Sequence, residues 1–219
     1  MTSDPSARGL LLDVGVVLFK SAWEMADDYE RLCGLEPGTI EGRGPFGGED
    51  EMWQRYRAGE INEREYWLTF AQRAVERGAP LRGHPTLMRS LFQQPEIDGV
   101  RPEARELVVA CMDAGIPVGI LTNELMDFQG REWVEAQDWY PWFGVLVDST
   151  ELGVRKPDPT PYLVAIEQMG IPASELVFID DNPTYVEGGL QVGLPSILLD
   201  VLDPAAAFDE AARRLGLAD

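Results

Sequence analysis

The sequence predicts an α/β protein built on a doubly wound parallel sheet, with a helical segment inserted after the first strand. Three observations carry this expectation. Short apolar runs of strand length alternate with longer stretches of helical period. The runs are apolar throughout rather than alternating with polar residues, as strands buried on both faces require. A long helical pattern, residues 20–95, separates the first run from the regular αβ series that follows. Residues 1–19 and 96–219 are therefore expected to form the α/β core, and residues 20–95 a helical insertion.

Residues 9–19 read as the first strand, with Asp13 between Leu10-Leu11-Leu12 and Val14-Gly15-Val16-Val17-Leu18. In the insertion, Asn62-x-x-Glu65 resembles a capping box, and Trp67, Phe70, Ala71, Ala74 and Val75 follow at helical spacing. The Gly/Pro-rich stretches Pro37–Gly48 and Gly78–Pro85 break this block into pieces. The second series opens with an amphipathic stripe, Ala104, Leu107, Val108, Cys111 and Met112, ended by Gly115 as a C′ residue. A strand (Ile116–Leu121), a helix (Met126–Gln137) and a short strand (Val145–Val147) follow. Thr160-Pro161 offers an N-cap and an N1 proline to a helix over Tyr162–Met169. A strand (Leu176–Ile179), a glycine-bearing helix (Tyr185–Val192), a last strand (Ser196–Leu199) and a closing helix (Pro204–Leu217) complete the series.

At 219 residues the chain is long enough for one domain carrying a large insertion. Its 18 basic and 38 acidic residues give a formal charge of −20, which argues against binding to nucleic acid or an anionic membrane. It also leaves little positive charge to hold an anionic substrate. Cys33 and Cys111 form no C-x-x-C pair and read as small buried hydrophobes in a reducing compartment. The first eight residues lack an apolar signal core, and no stretch approaches the roughly 20 apolar residues of a membrane span. A cytoplasmic location is expected. His84, the only histidine, lies in a Gly/Pro loop and reads as a surface residue. Nothing in the sequence fixes the oligomeric state.

Four polar islands close apolar runs: Asp13, Thr122-Asn123, Arg155-Lys156-Pro157-Asp158 and Asp180-Asp181-Asn182. In a doubly wound sheet, ligands sit beyond the carboxyl ends of the strands. Asp13, Thr122 and the Asp180-Asp181 pair fall at such ends. Asp13 can serve as nucleophile, as metal ligand or as both, because a carboxylate attacks phosphorus only where a cation offsets the repulsion between anions. Asp181, with or without Asp180, can hold Mg²⁺ through hard oxygen ligands. Lys156 can stabilise charge on a transferring group, and Thr122 with nearby N–H groups can orient its oxygens. Singly, each island also reads as a turn, a cap or a surface lysine; their joint occurrence points to a site.

These islands resemble motifs one to four of the haloacid dehalogenase superfamily. Asp13-Val14-Gly15-Val16-Val17, Leu121-Thr122-Asn123, Arg155-Lys156-Pro157-Asp158 and Ile179-Asp180-Asp181-Asn182 stand in the family order, and the likeness covers residues 9–200. It implies a Rossmann-like core, with residues 20–95 as a helical cap. Trp53-x-x-Tyr-x-x-Gly-Glu-Ile is similar to cap helices of that family's hydrolases. It further implies a Mg²⁺-dependent phosphatase acting on a small phosphorylated metabolite through an aspartyl phosphate on Asp13. Asp13, the Gly15 carbonyl and Asp181 would hold the metal, with Asp180 as a further candidate. Thr122 and Lys156 would contact the phosphoryl group, with Asn123 beside it.

One departure stands out. Family phosphatases typically carry a second aspartate two residues after the nucleophile, as general acid and base, and here that position is Gly15. Such catalysis is worth about 10²–10⁴-fold in rate. Gly15 therefore predicts a preference for activated leaving groups, such as sugar 1-phosphates or acyl phosphates, unless the cap supplies an acid, for which His84 is the one histidine available. It also raises the alternative of a catalytically weak protein that binds a phosphorylated ligand or a protein partner. Displacement of halide from a haloacid fits less well, because those enzymes look metal-independent and usually carry a tyrosine at this position. A phosphoacceptor signalling domain places its motifs in another order. The aromatic residues Trp53, Tyr56, Trp67 and Phe70 read first as core and second as a pocket lining.

Overall fold

A computed structural model describes residues 7–47 and 50–218. The polar start of the chain (residues 1–6), residues 48–49 at the end of the first Gly/Pro stretch, and residue 219 lie outside them. The chain divides into two compact units, Met1–Phe19 with Val100–Asp219, and Lys20–Gly99.

The first unit is a five-stranded parallel sheet with helices. Strand β1 spans Gly9–Leu12, β2 Val118–Thr122, β3 Val145–Asp148, β4 Leu176–Asp180 and β5 Ser196–Leu198, in the order β3-β2-β1-β4-β5. All four pairings are parallel; Leu11 lies opposite Gly119 and Phe178, and Thr122 opposite Asp148. The order reverses at β1, so the doubly wound topology places its switch point between β1 and β4. Every residue of β1, β2 and β4 is buried, which is why these strands read as unbroken apolar runs. On one face Leu11, Leu121, Val147 and Phe178 pack with Tyr162 and Ala165.

The first strand is shorter than the apolar run of residues 9–19. It ends at Leu12, and Val14–Leu18 form a wide turn in which Leu18 N donates to Asp13 O and Phe19 N to Val14 O. The turn forces Val16 to φ 62°, a costly conformation for a β-branched residue. Arg101 holds it there. This arginine is 2% exposed, donates from Nε to Val16 O at 2.9 Å, and donates from its backbone N to Leu18 O at 2.8 Å.

The helix over Pro102–Asp113 buries Ala104, Leu107, Val108 and Cys111, but Met112 of the expected stripe is 48% exposed. The expected helix Met126–Gln137 is two pieces, Leu125–Gln129 and Arg131–Glu135, because Gly130 adopts φ 87° between them. The next helix starts at Pro159 and ends at Met169; its cap is Asp158, which accepts from Thr160 N, not Thr160 itself. The helix Pro183–Gln191 is capped by Asn182 and packs closely through its glycines. A Cβ at Gly188 would fall 2.7 Å from the Tyr162 hydroxyl, and one at Gly189 would fall 2.4 Å from Ser196 Oγ. Helix Pro204–Arg214 closes the unit.

The second unit holds helices Ala22–Cys33, Glu51–Arg57, Glu63–Glu76 and Leu87–Phe92. Ser21 and Glu24 form a full capping box, whereas Asn62 supplies only the side-chain half, accepting from Glu65 N. The buried stripe of the third of these helices is Tyr66, Phe70 and Ala74; Val75 is 40% exposed. Trp23 centres an aromatic cluster, meeting Trp53 and Tyr66 edge-to-face and Trp67 at a tilt, and donating from Nε1 to the Tyr66 hydroxyl. Within this unit a cavity of about 420 Å³ is bordered by Arg43, Asp50, Met52, Tyr66 and Phe70 among others. Buried Glu30 orders the first Gly/Pro stretch by accepting from Gly38 N and Ile40 N. No helix among the described residues is long and apolar enough to cross a membrane.

Candidate active site

The carboxyl ends of β1, β2 and β4 bring the polar islands of the core together. Asp13 leaves β1 with its backbone N bonded to Ile179 O at 2.9 Å. Asp180 ends β4 and is fully buried, and Asp181 follows it at intermediate exposure. One ligand oxygen from each of Asp13, Asp180 and Asp181 lies within 4.8 Å of the others.

The Lys156 ammonium faces this cluster. Lys156 Nζ donates to Asp13 Oδ1 at 2.8 Å, to Asp180 Oδ2 at 2.5 Å and to Leu121 O at 3.1 Å, so its three hydrogens have three acceptors. The ammonium also lies 5.3 Å from the Phe178 ring centroid and 5.1 Å from that of Tyr185. Burial opposes its charge, but the attraction of Asp13 and Asp180 outweighs burial and holds its pKa above the ordinary lysine value. Burial pushes the Asp180 pKa up, against the pull of Lys156 and with the repulsion of Asp13. With all three acids ionised, the cluster would carry three carboxylate charges, two of which, Asp13 and Asp180, pair with the Lys156 ammonium.

The two oxygens of Asp13 are not equivalent. Oδ1 accepts from Lys156, while Oδ2 has no hydrogen-bond partner among the described residues. Gly15 follows in an extended conformation, φ −63° and ψ 133°, and a Cβ built there would meet only Asp13 Oδ2, at 3.8 Å. Position 15 therefore addresses the open oxygen.

Thr122 ends β2, is 5% exposed, and its hydroxyl has no hydrogen-bond partner among the described residues. It directly follows Leu121, whose carbonyl accepts from Lys156. The side chain of Asn123 is committed to the main chain of Lys156: Oδ1 accepts from Lys156 N at 2.8 Å and Nδ2 donates to Lys156 O at 3.3 Å. Among the expected site residues, then, Asp13, Lys156, Asp180 and Asp181 share one cluster, and Asn123 touches it through the backbone of Lys156.

Two contributors escaped the sequence reading. The Leu121 carbonyl carries no sequence signal at all. Asp148 does: it is an acid closing an apolar strand, as Asp13 follows one, and its carboxylate accepts from Met126 N and Thr150 N.

The family model of the haloacid dehalogenase-like hydrolases matches residues 15–193. A phosphatase of Mycobacterium tuberculosis (strain CDC 1551 / Oshkosh) is 29% identical over 203 residues, covering 89% of this chain and 88% of that protein. The phosphoglycolate phosphatase of Escherichia coli (strain K12) is 25% identical over 209 residues, covering 87% of this chain and 80% of that protein. Mouse acyl-CoA dehydrogenase family member 10 is 24% identical over 214 residues, 96% of this chain, but the chain spans only 19% of that protein's length. Among solved structures, the HAD-hydrolase YfnB of Bacillus subtilis, solved bound to magnesium, aligns with a TM-score of 0.63 at 18% identity, covering 95% of this chain and 98% of the other. At that identity the likeness speaks for the fold.

Proposed function

The chain belongs to the haloacid dehalogenase-like hydrolases, and from that premise we propose that it is a Mg²⁺-dependent phosphatase that hydrolyses a small phosphorylated metabolite through an aspartyl phosphate on Asp13. The observation that carries the proposal is the asymmetry of Asp13, one oxygen bonded to Lys156 and the other open beside Gly15. The phosphatases among its relatives support the same reaction class.

The residues fit a hard divalent cation: three clustered carboxylates, one of them fully buried, carry more negative charge than Lys156 offsets. Asp13, the Gly15 carbonyl and Asp181, with Asp180 behind them, would hold Mg²⁺, which when bound offsets the repulsion between carboxylate and phosphoryl oxygens. Lys156 steadies the negative charge at Asp13 and on the transferring group, and the Thr122 hydroxyl donates to a phosphoryl oxygen. In the first step Asp13 Oδ2 bonds to phosphorus, the bond from phosphorus to the leaving oxygen breaks, and that oxygen takes its proton from water. In the second, water attacks the phosphorus of the aspartyl phosphate, releasing inorganic phosphate and restoring the Asp13 carboxylate.

With no side chain at position 15, the leaving oxygen receives no proton from that residue. Activated esters are therefore the preferred substrates, sugar 1-phosphates and acyl phosphates among them. The helical unit of residues 20–99 is proposed as the cap that selects among them. A panel of small phosphate esters, assayed with Mg²⁺ and with a chelator, tests the function. Metal-dependent release that is fastest for activated esters is expected. Absence of release from every ester, with Mg²⁺ and phosphate analogues still bound, overturns it in favour of a binding protein, and release that survives chelation overturns the metal requirement.

A further inference from the structure

We propose that Asn123 is a positioning residue for Lys156, anchored in turn by Asp148 and Thr150, a role that rests on the reading of Lys156 as the group that steadies charge at Asp13. Lys156 is one of only two lysines in the chain. Its ammonium reaches three acceptors at once from the end of a flexible four-carbon stem, with a side chain 1% exposed. Such a placement requires a fixed backbone at residue 156, since the stem itself does not determine where the ammonium goes.

Asn123 supplies that fixity. Its amide bonds both polar atoms of the Lys156 main chain, as a neighbouring strand would, across 33 residues of sequence. Its acceptor and one of its donors are thereby taken up by backbone rather than directed at the reacting atoms.

Asn123 is itself held from below. The Thr150 hydroxyl lies 3.1 Å from Asn123 O and 2.6 Å from Asp148 Oδ1, sharing its one hydrogen between them. Asp148 Oδ1 also accepts from Thr150 N at 2.9 Å, and Oδ2 accepts from Met126 N at 2.7 Å. Asp148 is 2% exposed, so these charge-assisted bonds are made out of water. One buried carboxylate thus ties down the turn that carries Asn123, from Met126 directly and from Asn123 O through Thr150. Thr122, whose register partner is Asp148, starts the same turn.

The test combines kinetics with a readout independent of activity. Asn123→Ala is expected to lower kcat roughly 10–100-fold, as loss of an outer-shell partner does, with KM changed by less than about twofold. Combined with Lys156→Met, it should add no further loss beyond Lys156→Met alone. Losses that multiply in the double variant, or a KM rise with kcat intact, would mean that Asn123 contacts substrate and would overturn the proposal. Amine-directed labelling of the native protein, read by peptide mass spectrometry, follows Lys156 with Lys20 as internal reference. Faster labelling of Lys156 in Asn123→Ala, and to a lesser degree in Thr150→Val, with Lys20 unchanged, is expected. Unchanged protection of Lys156 in both folded variants overturns the proposal. Should the wild type hydrolyse no ester, the phosphatase reading fails, and the labelling still decides the role of Asn123.

Discussion

On the proposed reaction, replacing Gly15 by aspartate should broaden the range of esters hydrolysed. The backbone at Gly15 lies at φ −63° and ψ 133°, a region open to any L residue, so the substitution carries no conformational penalty. The new Cβ meets only Asp13 Oδ2, at an ordinary contact distance of 3.8 Å. At an exposed position the stability change should stay within about 0.5 kcal/mol. The added carboxyl would face the open oxygen of the proposed nucleophile, where it can pass a proton to the leaving oxygen. General acid assistance of that kind is worth about 10²–10⁴-fold, or roughly 3–5 kcal/mol of barrier. The gain should appear in kcat/KM for an unactivated alkyl phosphate and be nearly absent for p-nitrophenyl phosphate, whose leaving oxygen departs without a proton. The assay is steady-state phosphate release with Mg²⁺ on both esters, with Gly15→Asn as the control of matched size that lacks the acid. Equal rates for the aspartate and asparagine variants on the alkyl ester, or equal gains on both esters, would refute the reasoning.

Two further outcomes follow from the packing. Ser21→Ala removes the acceptor for Glu24 N and the hydroxyl donor to the Glu24 carboxylate; loss of such a cap costs about 1 kcal/mol, so urea denaturation followed by circular dichroism should show an earlier transition, and an unmoved one would contradict it. Cys111 is fully buried and burial pushes its thiol up to about 12, so an aromatic disulfide reagent at mild alkaline pH should leave it untouched until the protein is unfolded. Cys33, partly exposed, should react in the native state; two fast thiols would refute the packing around Cys111.

The fold was legible because burial on both faces of a parallel sheet leaves unmistakable apolar runs, and each of the five became a strand. What the runs did not reveal was where apolar chain stops being strand. Val14–Leu18 is as apolar as Leu10–Leu12 and almost as buried, yet it is a turn, shaped by Arg101 from 85 residues away. Gly130 broke a helix whose hydrophobic pattern continued through it. The Ser21-x-x-Glu24 box, by contrast, carries a plain local signature, a serine followed three residues on by a glutamate.

At the site, Asp13, Asp180 and Asp181 were legible because an acid has no reason to end a buried strand unless something requires it. Asp148 bears the same mark. Its role hides because its partners, Met126 and Thr150, show no pattern that links them to it. Asn123 illustrates the opposite limit: its residue type and place beside Thr122 suit a ligand contact, whereas in the fold its amide faces the Lys156 backbone.

The proposed nucleophile is tested most directly by Asp13→Asn. The variant keeps the size of the side chain and an acceptor for Lys156 but removes the charged oxygen that would attack phosphorus. Metal-dependent phosphate release, measured with the wild type's best ester at equal protein and Mg²⁺, should fall to the background of a protein-free control, with the thermal transition showing the variant folded. Release that persists in the folded variant at a substantial fraction of the wild-type rate would contradict an aspartyl phosphate on Asp13.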